Sequence, residues 1–144
     1  MRVTCPGGHE IDDAKDRLDV PLIHAFLTEH TYWAQGRTRA TVERAIAHSL
    51  CFGVYALSGA QVGFARLVTD LTTAAHLTDV FILPGNRGLG LGKSLIAALI
   101  GHPDLATVRR WTLSTADAHG LYAPFGFTAM QEPERQMMRT FPIA

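Results

Sequence analysis

The chain has 144 residues, 47% of them apolar and 18% charged, a size and balance that suit one globular domain over residues 1–144 and exclude a disordered or fibrous chain. Its 13 basic residues equal its 13 acidic ones, so no net field favours nucleic acid or an anionic membrane surface as a partner. No stretch approaches the roughly 20 apolar residues of a membrane span, Met1 to Glu10 holds no apolar run, and Cys5 and Cys51 have no partner cluster; a cytoplasmic protein with reduced thiols and no metal is expected.

In chain order, Pro21 to His30 sets Leu22, Ile23, Phe26 and Leu27 at helical spacing, with Pro21 suited to a first turn. Thr41 to Leu50 repeats the period with Val42, Ala45 and Ile46, and Thr38 or Thr41 can cap it. Cys51 to Leu57 and Gln61 to Thr69, joined by Ser58-Gly59-Ala60, read as a hairpin. His76 to Leu83 is a third strand, closed by Pro84-Gly85-Asn86. A helix follows on Leu91, Leu95, Ala98 and Leu99, with a stop at Gly101 and Pro103. Val108 to Ser114 reads as a strand and Ala116 to Tyr122 as a short helix, ended by Pro124. Thr128 to Met130 and Gln136 to Phe141 are weaker terminal strands, and one further strand is expected before the first helix. This mixed order, with a hairpin and strand–helix–strand units, points to an α/β fold around a mixed sheet.

Arg87-Gly88-Leu89-Gly90-Leu91-Gly92 leaves a buried strand and enters a helix, where backbone N–H groups lack intrahelical partners and the dipole is positive. Glycines let consecutive amides converge on one anion, and Arg87 and Lys93 add charge, so the ligand should carry phosphate or pyrophosphate. A P-loop fails by one residue, because Arg87 stands where its first glycine belongs; the dinucleotide fingerprint fails at Lys93 and Leu95. The spacing Arg87-x-x-Gly90-x-Gly92 resembles the Gln/Arg-x-x-Gly-x-Gly/Ala motif of the GNAT superfamily of N-acetyltransferases. Downstream, Tyr122-Ala123-Pro124-Phe125-Gly126-Phe127 is similar to that superfamily's Tyr-x-x-x-Gly-Phe segment. The two motifs, with the helix and strand between them, carry the resemblance from about His76 to Phe127.

The resemblance implies a mostly antiparallel central sheet with flanking helices and acetyl-CoA as cofactor. It implies that the pantetheine arm runs along Phe81, Ile82 and Leu83 beside a splayed β-bulge. The pyrophosphate would meet the amides from Gly88 through Lys93, with Arg87 and Leu89 shaping the turn and Leu91 and Ser94 at the helix start. Tyr122 matches the general acid that returns a proton to the departing thiolate; a core tyrosine with a satisfied hydroxyl is the competing reading. For the general base, Asp79 comes first and His76 second, then Asp117 and His119; pairing of Asp79 with an arginine, and His76 as a strand end, are the alternatives. Thr115 stands where many relatives have a cofactor-contacting asparagine. Thr115 or Asp117 can replace that contact, or they can cap the short helix.

Glu29, Tyr32 and Trp33 cluster in the first interhelical connection and are candidates for an amine pocket, and Arg66 can bind a carboxylate or pair with Asp70 or Asp79. The expected reaction is acetyl transfer to a small-molecule amine, with a protein amine as another acceptor and a non-catalytic acyl-CoA-binding module as the alternative class. Pairing of two copies through Gln136 to Phe141 is a further expectation.

Overall fold

A hairpin of two three-residue strands, β1 (Arg2–Thr4) and β2 (Glu10–Asp12), opens the chain, where one strand is expected from sequence. The computed structural model describes residues 1–142. Helices α1 (Val20–His30) and α2 (Arg39–Ala47) follow, then strands β3 (Leu50–Tyr55), β4 (Gln61–Thr69) and β5 (Ala74–Ile82). Helix α3 (Leu91–Ile100), strand β6 (Arg110–Leu113) and the single turn α4 (His119–Tyr122) complete the regular elements.

The caps explain the helix starts. Asp19 accepts from the Leu22 N–H at 3.1 Å with Pro21 in the first turn of α1, and Thr38, not Thr41, caps α2 by accepting from the Thr41 N–H at 3.2 Å. The early cap moves α2 forward, so it ends at Ala47 and leaves Ser49 and Leu50 to the loop and β3.

The six strands lie in sequence order in one sheet, antiparallel throughout except for the parallel β5–β6 pair that α3 bridges. Its faces are covered separately. Leu95, Ile96 and Leu99 of α3 pack on Ile11, Phe52, Val54 and Leu67, while Ile23, Phe26 and Leu27 of α1 and Val42 and Ile46 of α2 pack on Cys51, Phe64 and Phe81 of the other face. The architecture is the mixed, mostly antiparallel sheet with flanking helices that the resemblance implies.

The terminal strands expected at Thr128–Met130 and Gln136–Phe141 do not form. Both segments lie outside any ladder, a single 3₁₀ turn at Pro133–Arg135 separates them, and Met137, Met138 and Phe141 are largely exposed. Strand composition alone does not make a strand when the backbone has no ladder partner.

Two irregularities open the site. The β4–β5 register shifts between Phe64 and Arg66, and Asp79 on β5 takes φ +54°, a left-handed conformation uncommon for a side chain with a Cβ. This bulge resets the strand's alternation: Ala75 and Leu77 face the α3 core, and past the bulge Val80 and Ile82 face it, while Phe81 turns to the α1–α2 core. The parallel pairing with β6 stops at Leu77–Leu113, so the β6-facing edge of Thr78–Ile82 is left without a ladder partner.

Candidate active site

Where β5 and β6 part, a cleft of about 400 Å³ opens, lined by the ends of both strands, the α1–α2 connection and α4. Next to it, the chain leaves β5 through a tight turn at Pro84–Asn86 and enters α3. Gly88 and Gly90 take φ +81° and +75°, and nothing lies within 4 Å of where their Cβ atoms would be, so a side chain there would meet backbone strain and fill the open space over the helix end. Gly90 is the N-cap of α3 and no side chain caps it; the first intrahelical bond runs from Ser94 N–H to the Gly90 carbonyl at 3.1 Å. The amides of Leu91, Gly92 and Lys93 therefore have no helical acceptor, and an anion at this end meets both free donors and the positive end of the dipole. A cradle of this kind fits a pyrophosphate.

The other expected donor-side residues divide. The Arg87 guanidinium donates from Nε to the Ile82 carbonyl at 3.1 Å, folding back over the strand end and shaping the turn. Phe81 is buried and stacks on Phe26 with centroids 4.2 Å apart, so its side chain is committed to the core and only its backbone belongs to the open strand edge; Ile82 and Leu83 are half-buried. Leu89 is exposed, and Ser94 lines a separate hollow beside Val3.

The two motifs meet in space. A Cβ on Gly92 would sit 3.5 Å from the Leu121 side chain, so the first turn of α3 rests against α4, one residue from Tyr122. Gly126, the glycine of the second motif, closes the 3₁₀ turn Ala123–Phe125 with φ +91°, which favours glycine at that position. Tyr122 lines the cleft and is 8% exposed. Burial pushes its phenol above the usual tyrosine value of 10.0, and the charges of Asp117 and Tyr32 add to this. It therefore stays protonated well past neutrality.

Asp79 lies on the cleft wall, 3% exposed, and both oxygens of its carboxylate are engaged. Oδ2 accepts from Arg66 Nε and Arg37 Nη1, each at 2.8 Å, and Oδ1 accepts from Trp33 Nε1 at 2.9 Å. Burial alone would raise its pKa, but the Arg66 hydrogen bond, the charges of Arg37 and Arg66, and the Arg37 hydrogen bond together outweigh it and hold the carboxyl below 3.8. Of the alternatives for Arg66, pairing with Asp79 is the one realised. Asp70 instead accepts from the Thr72, Thr73 and Ala74 amides of its own turn.

His76 reaches the cleft from the start of β5, with Nδ1 2.8 Å from Thr112 Oγ1. Tyr32 and Trp33 pack edge to face at 5.0 Å, and the Tyr32 hydroxyl accepts from the Ala116 N–H at 3.1 Å, closing the α1–α2 connection over the loop before α4. Thr115 Oγ1 accepts from the Ala118 N–H at 3.0 Å, closing the turn before α4, while the helix start itself has no side-chain cap; Asp117 lines the cleft and is exposed. Glu29 lies away from the cleft, beside His30 in the last turn of α1.

Arg37, Thr78, Val80 and Ser114 also line the cleft and were not expected from sequence. Arg37 offered only a weak signal, a cation after Gly36 and before the cap of α2. The bulge that exposes Thr78 and Val80 left no mark in the residue types. Among the described residues no helix is long and apolar enough to cross a membrane, and no group of acidic, histidine or cysteine side chains is arranged to hold a metal ion.

Comparison with known proteins agrees with this geometry. The family model for the GNAT acetyltransferase domain matches residues 47–129. A Gibberella zeae protein assigned as an acetyltransferase is 34% identical, over 73% of this chain and 70% of its own. A Xanthomonas campestris crystal structure assigned to the GNAT family superposes with a TM-score of 0.89 at 47% identity, covering 93% of this chain and 94% of that one. A Mycobacterium tuberculosis protein solved in complex with CoA shares the fold, with a TM-score of 0.70 at 19% identity over 84% of this chain and 72% of that one. A glycine turn on a helix end, a splayed strand pair and a family match spanning both make this chain a member of the GNAT family of acyl-CoA-dependent acetyltransferases.

Proposed function

We propose that the protein transfers the acetyl group of acetyl-CoA directly to the amine of a small molecule, with Tyr122 as general acid. The observation that carries this reading is a buried phenol on the cleft wall, borne on the short helix α4 against which the first turn of α3 rests through Gly92 and Leu121. When bound, acetyl-CoA supplies the acetyl group as a thioester and leaves as a thiolate that needs a proton.

The amides from Gly88 through Lys93 hold the pyrophosphate, helped by the Lys93 charge, and the unpaired edge of Phe81, Ile82 and Leu83 holds the pantetheine arm. Tyr122, its phenol kept protonated by burial, is placed on the cleft wall to give its proton to the departing thiolate. Asp79 has the opposite character. Two guanidinium groups and an indole N–H already occupy it, so it is a poor proton acceptor at neutral pH and acts as the charge that holds the wall together. Deprotonation of the acceptor then falls to His76, in the tautomer whose Nδ1–H donates to Thr112 and leaves the Nε2 lone pair free. Tyr32 and Trp33 supply the aromatic wall for the acceptor. Thr115, whose hydroxyl caps the loop before α4, and Asp117 border the donor site.

Release of free CoA measured over a panel of amines tests the reading. Tyr122→Phe should lower kcat by about 100-fold or more, the scale of a lost general acid, with little change in KM for acetyl-CoA. Acetyl-CoA binding without turnover on any amine would sink it, and turnover only on peptide amines would redirect it to a protein acceptor.

A further inference from the structure

The acceptor side of the cleft carries a positive charge that the transfer step does not use. Arg37 is anchored three times: its N–H donates to the Ala34 carbonyl at 3.3 Å, closing a turn through Gly36 (φ +78°), its carbonyl accepts from His24 Nε2 at 2.9 Å, and its Nη1 donates to Asp79 Oδ2 at 2.8 Å. The same Asp79 oxygen accepts from Arg66, so one carboxylate is shared by two guanidinium groups. Arg66 spends a further N–H on Ser49 Oγ at 3.1 Å and does not line the cleft. Arg37 does line it, its side chain is 23% exposed, and its Nε and Nη2 have no hydrogen-bond partner among the described residues.

The cluster thus holds one cation more than it neutralises, at the edge of a partly enclosed cavity. An excess guanidinium that is desolvated on one side and aimed by its own backbone favours an oxyanion that can take two parallel N–H bonds. Thr78 and Ser114 add neutral hydroxyls to the cleft, and Asp117 is the only other acid lining it. A polyamine here would set its second cation against Arg37. A carboxylate beside the reacting amine would complete the ion pairing.

We infer that the acceptor is an amino acid or a closely related amino carboxylate, with Arg37 as the residue that binds its carboxylate. This rests on the reading of the cleft as the acceptor site of an acetyltransferase, so binding is tested apart from transfer. In the presence of CoA, N-acetyl amino acids are titrated by calorimetry against their carboxamides. At least one acid should bind tenfold or more tighter than its amide, and Arg37→Met should reduce that ratio to threefold or less. No preference for the acid across the panel, or a preference that survives Arg37→Met, would overturn the inference.

In the transfer assay Arg37→Met should lower kcat/KM for the free amino acid at least tenfold more than for its amide, mainly through KM. Arg37→Lys, which keeps the charge and loses the fork, should recover part of the difference. Equal losses on both substrates would mark Arg37 as a purely structural partner of Asp79 and overturn the assignment. Carboxylate-selective binding without transfer to any amine would support the Arg37 site and sink the acetyltransferase reading instead.

Discussion

The glycine turn and the cleft beside it are built from different materials. At the turn, six consecutive residues, Arg87 to Gly92, lead into a helix start with free backbone amides, and side chains matter there chiefly by being absent. At the cleft wall and just behind it, Trp33, Arg37, Arg66 and Asp79 come from the α1–α2 connection, β4 and β5, and side-chain charges hold one another in place. A backbone site survives most substitutions that leave its conformation intact. A shared-charge site does not, because removing one member leaves the others buried and unpaired.

The sharpest way to break this contrast is Asp79→Ala. It strands two guanidinium groups and puts the substitution on a residue at φ +54°, and should cost about 3 kcal/mol of stability by denaturant unfolding, the low end for a broken buried ion pair because Arg37 is partly solvated. Asp79→Asn tolerates the left-handed backbone and removes only the charge, so it should cost less than Asp79→Ala. Equal losses would mean that charge alone accounts for the effect.

Next, Gly90→Val should cost about 1–2 kcal/mol through strain at φ +75°, and should raise KM for acetyl-CoA at least tenfold while leaving Arg37-dependent binding of the acid over its amide intact. A mutant that binds acetyl-CoA normally would show that the helix end is not the anion cradle.

The Asp79 cluster should also respond to acid. The folded pKa of Asp79 lies below its ordinary value of 3.8, so the native state binds fewer protons than the unfolded one as pH falls past that value. The Asp79 contribution is therefore fully present above about pH 4 and is lost on descending through the depressed folded pKa. The stability gap between wild type and Asp79→Asn should be flat from pH 7 to 5 and shrink only below 3.8; a gap that closes near pH 6 would place another group in the cluster. Burial holds the Tyr55 phenol up to about 12, so a separate loss of stability is expected as pH rises from 10 to 12, where the unfolded tyrosine ionises first.

The smallest effect is the control. Arg39 and Glu43 form an exposed i,i+4 pair at 3.0 Å, with both side chains 53% exposed, and Arg39→Ala should change stability by no more than about 0.5 kcal/mol. A larger loss would mean that the charge network extends across α2.

Both motif glycines were readable because each requirement is local: a left-handed N-cap favours glycine at position 90, and the 3₁₀ turn after Tyr122 favours it at 126. The helices were readable from their period, although the cap at Thr38 moved the start of α2 forward from Thr41 to Arg39 and its end from Leu50 to Ala47. Gln136–Phe141 misled because its residue types suit a strand while strand formation depends on a partner edge. Arg37 stayed hidden for a related reason, since its partner Asp79 is 42 residues away and no spacing rule links them.

The sequence by itself determined the family and its reaction class, and the glycine-rich helix start with free amides, because such a start is a property of a few adjacent residues and their backbone angles. Only the tertiary structure decided the state of Asp79. The bulge at that residue and the ending of the β5–β6 ladder at Leu77 turn its carboxylate toward Arg37, Arg66 and Trp33. Whether a carboxylate takes a proton or holds a cation depends on what surrounds it in space, and its neighbours along the chain do not carry that information.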